Sequence, residues 1–349
     1  MTETTAARLI GRRLGPKLGL GGALAAIMLF TVGFAVCLGT VPVPPMTVLA
    51  VVLDHLLPGM IDRDISVGQA SIVWQIRLPR VILAGLVGAG LGLVGAALQS
   101  VTRNPLADPH LLGISSGGAF GAIAALLHTG MFLGALTVPL MAFAGALMAT
   151  ALVLGVARMS RACSADRLVL TGVAVSFVIM ALANILIFLG DPRATHTVVF
   201  WMLGGLGLAQ WSHLPWPLAV LLPCGFWLWS RSGSLNAMSL GDETASSLGI
   251  EVERFRLSIF VAAALITGVM VAFSGLIGFV GLMMPHLVRL VLGGDNSRVL
   301  PGSAFAGAVF LIAADALARF ALAPEDIPVG VVTGLCGGLF FIWMMSRKA

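Results

Sequence analysis

Several long, uncharged apolar runs, such as residues 81–98, 133–156 and 257–280, dominate this chain. A hydrocarbon core about 30 Å thick takes roughly 20 residues of helix to cross. Lipid offers the backbone no water, so each amide must be satisfied inside its own segment and such runs form helices. A membrane β-barrel would instead carry short segments of alternating polarity. A water-soluble fold is excluded by the same feature. Charged residues are only 10% of the 349, against about 25% in soluble domains. The expected fold class is therefore all-α, a polytopic membrane protein.

Apolar runs and breakers together predict about ten transmembrane helices, near 19–41, 80–101, 111–129, 133–157, 167–189, 212–230, 256–275, 279–292, 301–321 and 327–346. The spans at 111–129 and 279–292 are short or interrupted by Gly and Pro. A further apolar helix at 43–58, punctuated by Pro42, Pro44, Pro45 and Pro58, is expected at the membrane surface. An even number of crossings leaves both termini on one side. With that side cytoplasmic, 15 of the 20 Lys and Arg lie inside and only Arg63, Arg77, Arg80, Arg193 and Arg319 lie outside, which is the positive-inside pattern. Residues 1–18, carrying Arg8, Arg12, Arg13 and Lys17, form a cytoplasmic tail. The run after them lacks a small-residue cleavage site, so no cleaved leader is expected. Residues 1–349 read as a single transmembrane domain.

Glycine, at 43 residues, suits close helix packing in lipid. Gly85, Gly88, Gly92 and Gly95 recur at three- and four-residue spacing, giving one helix a small-residue face. Two stretches also align without gaps at an offset of 176 residues: Arg80 falls on Arg256, Gly92 on Gly268, Ala96 on Ala272, and Pro109-His110-Leu111 on Pro285-His286-Leu287. Five spans separate the copies, so the internal repeat is inverted. In transporters such repeats place the substrate path near their pseudo-twofold axis, often beside broken helices.

The most polar long stretch between two spans is 239–256, SLGDETASSLGIEVERFR. Ser239 is expected to cap a short helix whose first turn carries Asp242 and Glu243, as the helix dipole favours. Ala245, Leu248 and Gly249 mark its end. Such a helix suits a groove in a soluble partner; the same residues also suit a solvated loop with local helix. The four cysteines are scattered and show no metal spacing. His110 and His286, each expected after a proline at a helix start, read as structural. No catalytic set is visible, and no catalytic, cofactor or metal residue is assigned. Neither of the two lysines, Lys17 and Lys348, lies in a phosphate-binding G-x-x-x-x-G-K-[ST]. Any ATP chemistry belongs to another subunit.

The segments IRLPRVILAGLVGAGLGLVGAALQ, RNPLADPHLLGISSGGAFGA, LGDETASSLGIEVERFR, GLIGFVGLMMPHLVRL, LPGSAFAGAVFLIAADALAR and DIPVGVVTGLCGGLFFIW span roughly residues 72–345. In content and order they resemble the FecCD-type permease family, the membrane subunits of ABC importers for iron chelates, haem and vitamin B12. The resemblance implies a type II ABC importer permease fold in the bacterial inner membrane. It also implies a homodimer, two ATPase subunits carrying ATP and Mg, and a periplasmic substrate-binding protein. Residues 239–253 become the cytoplasmic coupling loop on the ATPase, with Leu240, Gly241, Asp242, Ala245, Leu248 and Gly249 at the contact. Arg77, Arg80 and Arg319 become the docking residues for acidic groups of the binding protein, with Asp315 one turn from Arg319. Asn104 and Leu106, with Ser164 and Ala165, become the cytoplasmic gate. The Ala162-Cys163-Ser164-Ala165 sequence departs from the small hydroxyl residues common there. Among cargoes, likeness of the 104–117 stretch to haem-type members favours haem over a ferric siderophore or cobalamin. Lipid is a partner and nucleic acid is not. The rival class is an ion-gradient-driven secondary transporter, which needs ionisable groups deep in the membrane. Asp315 is the only acid well inside an apolar run, and Arg319 can neutralise it.

Overall fold

The computed structural model describes residues 22–57, 66–159 and 165–346. The chain is all-helical there: α1 Gly22–Cys37, α2 Pro45–Leu56, α3 Val67–Thr102, α4 Ile114–Thr129, α5 Thr137–Met159, α6 Ala165–Leu189, α7 Pro192–Met202 and α8 Pro215–Ser230. After these come α9 Ser232–Leu240, α10 Asp242–Ser247, α11 Val252–Ser274, α12 Val280–Leu292, α13 Asn296–Phe320 and α14 Val329–Ser346. Every expected span falls on a helix. Six of them are long and apolar enough to cross a membrane, and α1, α2, α4 and α12 are shorter apolar helices. The chain is a multi-pass membrane protein. The N-terminal tail lies outside the described residues.

Two helices, α7 and α9, were not anticipated. α7 starts at an Asp-Pro signal, with Asp191 accepting the backbone N–H of Arg193 at 2.9 Å and Pro192 in the first turn. It has 11 residues and mixes Thr195, His196 and Thr197 with apolar side chains, so it offers no membrane-length run.

α3 is the hub, packed against α13, α11 and α12. Its glycine face does what small residues do in lipid. At Gly88 the α3 backbone touches that of α13 at Gly307, and a Cβ on either glycine would collide with the carbonyl of the other. Gly92 meets Ser303 of α13, and Gly95 meets Gly281 of α12. The inverted repeat is visible in the packing. α3 lies on α13 as α11 lies on α5, and α4 lies on α5 as α12 lies on α13. Gly92 faces α13, while its counterpart Gly268 faces Phe143 and Ala146 of α5.

The gapless register ends within the repeat, however. Pro109 opens a 3-10 turn, Pro109–Leu112, ahead of α4, whereas Pro285 stands inside α12. His286 is thus a mid-helix residue rather than one at a helix start, because α12 begins earlier, at Val280. α6 and α14 are the least covered of the membrane-length helices.

Candidate functional site

Three places carry the expected functional residues. At one end of the bundle, the end expected outside, α3 starts as an α-helix, passes through a π-turn at Ile72–Arg77 and continues from Leu78. Arg77, Arg80 and α13's Arg319 are all buried, at 5%, 7% and 5% exposure. Arg80 donates through Nε to Asp315 Oδ1 at 2.9 Å, and through Nη1 to Asp326 Oδ2. Arg319 donates to the other oxygen of Asp315 at 3.1 Å, the one-turn pairing that their spacing suggested.

The remaining donors reach back to α1. A helix C-terminus leaves its last carbonyls without intrahelical partners. Here Arg319 serves Ala35 and Leu38 at 2.8 Å each, and Arg77 serves Val36, Cys37 and Val41. Guanidinium forks close the end of the first helix. Buried charge is costly unless paired and hydrogen-bonded. Three guanidiniums share two carboxylates and five carbonyls here. In this conformation all three arginines are engaged internally rather than extended outward. Asp326, half-exposed in the α13–α14 loop, is the accessible member of the cluster. Nothing in the sequence near Asp326 marked it as a partner of Arg80.

At the other end, the one expected inside, α9 turns into α10 at Gly241, whose φ of 129° suits glycine. Ser239 is not the cap. It belongs to α9, and its hydroxyl donates back to Leu235 O at 2.9 Å, so Gly241 stands at the N-cap. The far end follows expectation. Gly249 takes φ 81°, its N–H donates to Ser246 O at 2.9 Å, and Ile250 N–H donates to Ala245 O at 3.1 Å, a glycine-terminated close. Asp242 and Glu243 occupy the first turn. Ala245 is buried, while Leu240 and Leu248 stand out, 74% and 66% exposed. Two exposed leucines flanking a short acidic helix, Leu240 at the end of α9 and Leu248 just after α10, make a surface for an apolar groove.

The helices behind α10 are tied by polar contacts. Asn236 of α9 donates to Asp295 at 2.8 Å and accepts the Asn296 N–H at 2.8 Å. Asn296 accepts from Ser100 of α3 at 2.8 Å. Arg289 of α12 reaches Gln99, Ala96 O and Ser100. Hydrogen bonds from Asn236 and Ser297 hold the Asp295 carboxyl at about 2, below the usual carboxylate range.

The expected gate is partly visible. Arg103 takes a left-handed conformation, φ 52°, after α3. Asn104 Oδ1 then accepts the Leu106 N–H at 2.9 Å, and Leu106 projects outward, 53% exposed. Asp108 caps the following turn through His110 N–H at 2.7 Å. The ring of His110 bonds Ile277 O at 2.9 Å, in the short connection between α11 and α12. Ser164 lies outside the described residues, and Ala165 is the first residue of α6. Among the described residues no group of three or more His, Cys, Asp or Glu is placed to hold a metal ion.

Comparison with known proteins points to one family. A model of the FecCD transport family matches residues 27–347. The vitamin B12 import system permease proteins BtuC of Salmonella paratyphi A and Salmonella typhimurium are each 42% identical over 277 residues, covering 79% of this chain and 84% of theirs. A solved metal-chelate-type ABC transporter in an inward-facing conformation superposes with a TM-score of 0.81 at 29% identity, covering 95% of this chain and 99% of that one.

Proposed function

Because the chain belongs to the FecCD transport family, and so is the permease of an ABC importer for the iron-chelate and vitamin B12 class, we propose that it carries one such metal chelate from periplasm to cytoplasm across the bacterial inner membrane. It is a transport subunit, and ATP hydrolysis belongs to a separate partner. The observation that carries the reading is α10, with exposed Leu240 and Leu248 beside Asp242. That helix is the contact through which the ATPase drives the spans.

The assembly is a homodimer with two ATPase subunits. The sparsely covered α6 and α14 face a second copy and enclose the path between them. The binding protein docks at the outer end, where one of its carboxylates displaces half-exposed Asp326 from Arg80, while Arg77 and Arg319 keep the ends of α1 and α13 in place. Asn104, Leu106, Ser164 and Ala165 form the inner constriction. Binding along the path is weak, since a tight site would slow release.

A gradient-driven mechanism has less support. Asp315, the deep acid it would need, is bonded on both oxygens by Arg80 and Arg319. For the cargo, likeness of the 104–117 stretch supports haem, and the identity with vitamin B12 permeases supports a corrinoid. The cognate binding protein, purified from its own cell, decides by its absorption spectrum, since haem, ferric siderophore and corrinoid differ in the visible range. Uptake into vesicles is expected to persist when ion gradients are dissipated and ATP is kept. Uptake that follows the gradient instead would overturn the importer reading.

A further inference from the structure

Arg80 and Arg256 occupy the same position in the two halves of the repeat, at opposite ends of the molecule. Arg80 clamps the outer ends of α3 and α13. Arg256, 2% exposed at the foot of α11, gives Nη2 to both oxygens of Asp242 at 2.7 and 2.8 Å. Asp242 is the first residue of α10, and Arg103, at the end of α3, approaches the same carboxylate at 4.0 Å. One carboxylate at the start of the coupling helix thus lies between the inner ends of two core helices.

The flanks of α10 explain why this pair matters. Gly241 and Gly249, both at positive φ, stand at either end of the six-residue helix. A force on Leu248, which lies between them, would be absorbed by rotation at these two glycines unless something fixes the helix against the spans. Ala245 packs inward but gives no directional bond. The fork on Asp242 does, because charge-assisted bonds are both stronger and more directional than neutral ones.

We propose that Arg256 is a positioning residue that locks α10 to α11, and through Arg103 to α3, so that movement of the ATPase is passed to the core instead of being lost at the glycines. Arg256 is buried, and its bonds to Asp242 are its link to α10. The inference rests on the reading of α10 as the ATPase contact.

The test uses the full permease with its ATPase partner in lipid nanodiscs, in a cysteine-free background. Spin labels are placed at Ser247 of α10 or at Val261, exposed on α11. Distances between the two copies are measured with and without ATP and vanadate. In the unaltered protein both labels shift. With Arg256→Gln the Ser247 shift is expected to remain and most of the Val261 shift to disappear, with partial recovery in Arg256→Lys. Asp242→Asn, a change at a half-exposed site, is expected to act in the same way, and the double variant to be no worse than either single. Should Arg256→Gln fail to fold, Asp242→Asn carries the test alone. An undiminished Val261 shift in the variants overturns the joint. An absent Ser247 shift in the unaltered protein overturns instead the reading of α10 as the ATPase contact.

Discussion

Arg80 and Asp315 are 235 residues apart in sequence and joined at 2.9 Å, both buried, at the outer end of the α3–α13 pair. Asp315 keeps Arg319 when Arg80 is removed, so the loss is that of Arg80's charged hydrogen bonds, worth about 1.5–3 kcal/mol. Arg80→Gln is therefore expected to destabilise the permease by about 2 kcal/mol, read as a lower Tm in detergent. Arg193→Gln, on an exposed arginine of the same side, serves as the control. An unchanged Tm for Arg80→Gln would show that the pair is not a structural anchor.

The Gly88–Gly307 contact makes a second, sharper prediction. Each glycine faces the other's carbonyl, so a methyl on Gly307 meets backbone that cannot rotate away. Overpacking of this kind costs typically 1–3 kcal/mol, and Gly307→Ala is expected at the upper end, about 3 kcal/mol. Gly155 of α5 has nothing within 4 Å of a built Cβ. There Ala removes glycine's conformational cost, and Gly155→Ala is expected to stabilise by about 0.5–1 kcal/mol. Thermal unfolding of the two variants side by side checks both signs. A neutral Gly307→Ala would mean that the helices part easily at this crossing.

These outcomes also show what the residues disclosed by themselves. The spans were legible because lipid demands long apolar helices. The glycine face of α3 was legible as packing, since small residues at helical spacing have few other uses. The acceptors were not legible. Orphan carbonyls exist at every helix end, and nothing in the sequence tells that those of α1 are closed by Arg77 and Arg319. Ser239 suited a cap by residue type, but α9 runs on to Leu240 and absorbs it. α7 escaped notice because a short amphipathic helix lacks the uniform hydropathy that marks a span. The Pro-His-Leu match misled in register, since the same tripeptide opens a 3-10 turn in one half and lies mid-helix in the other.

Asp295 offers a test by pH. Its carboxyl is lowered from an ordinary value near 3.8 to about 2. A depressed folded value means that the group's contribution is complete above the ordinary value and is lost as pH falls through the folded one. The junction of α9 and α13 is therefore expected to be unaffected from neutral pH to about 4 and to loosen below that. Carbon-13 NMR of labelled Asp carboxyls should show one resonance titrating near 2, absent in Asp295→Asn. If Asn236→Ala left that titration unmoved, the hydrogen bond from Asn236 would not be its cause.

Leu240 and Leu248 give the prediction closest to function. Both are exposed on the inner face, and neither supports the core. Surface changes away from caps and packing shift stability by no more than about 0.5 kcal/mol, so Leu240→Asp with Leu248→Asp should leave the Tm of the isolated permease nearly unchanged. Binding to the ATPase should behave differently, because an apolar groove that receives leucine is asked to accept a charge. Anchors of this kind cost about 2 kcal/mol or more when truncated, which corresponds to a loss of affinity of about thirtyfold. Co-purification and titration with the ATPase subunit measure it. Retained affinity with a lowered Tm would assign the two leucines to folding and move the ATPase contact elsewhere on the inner face.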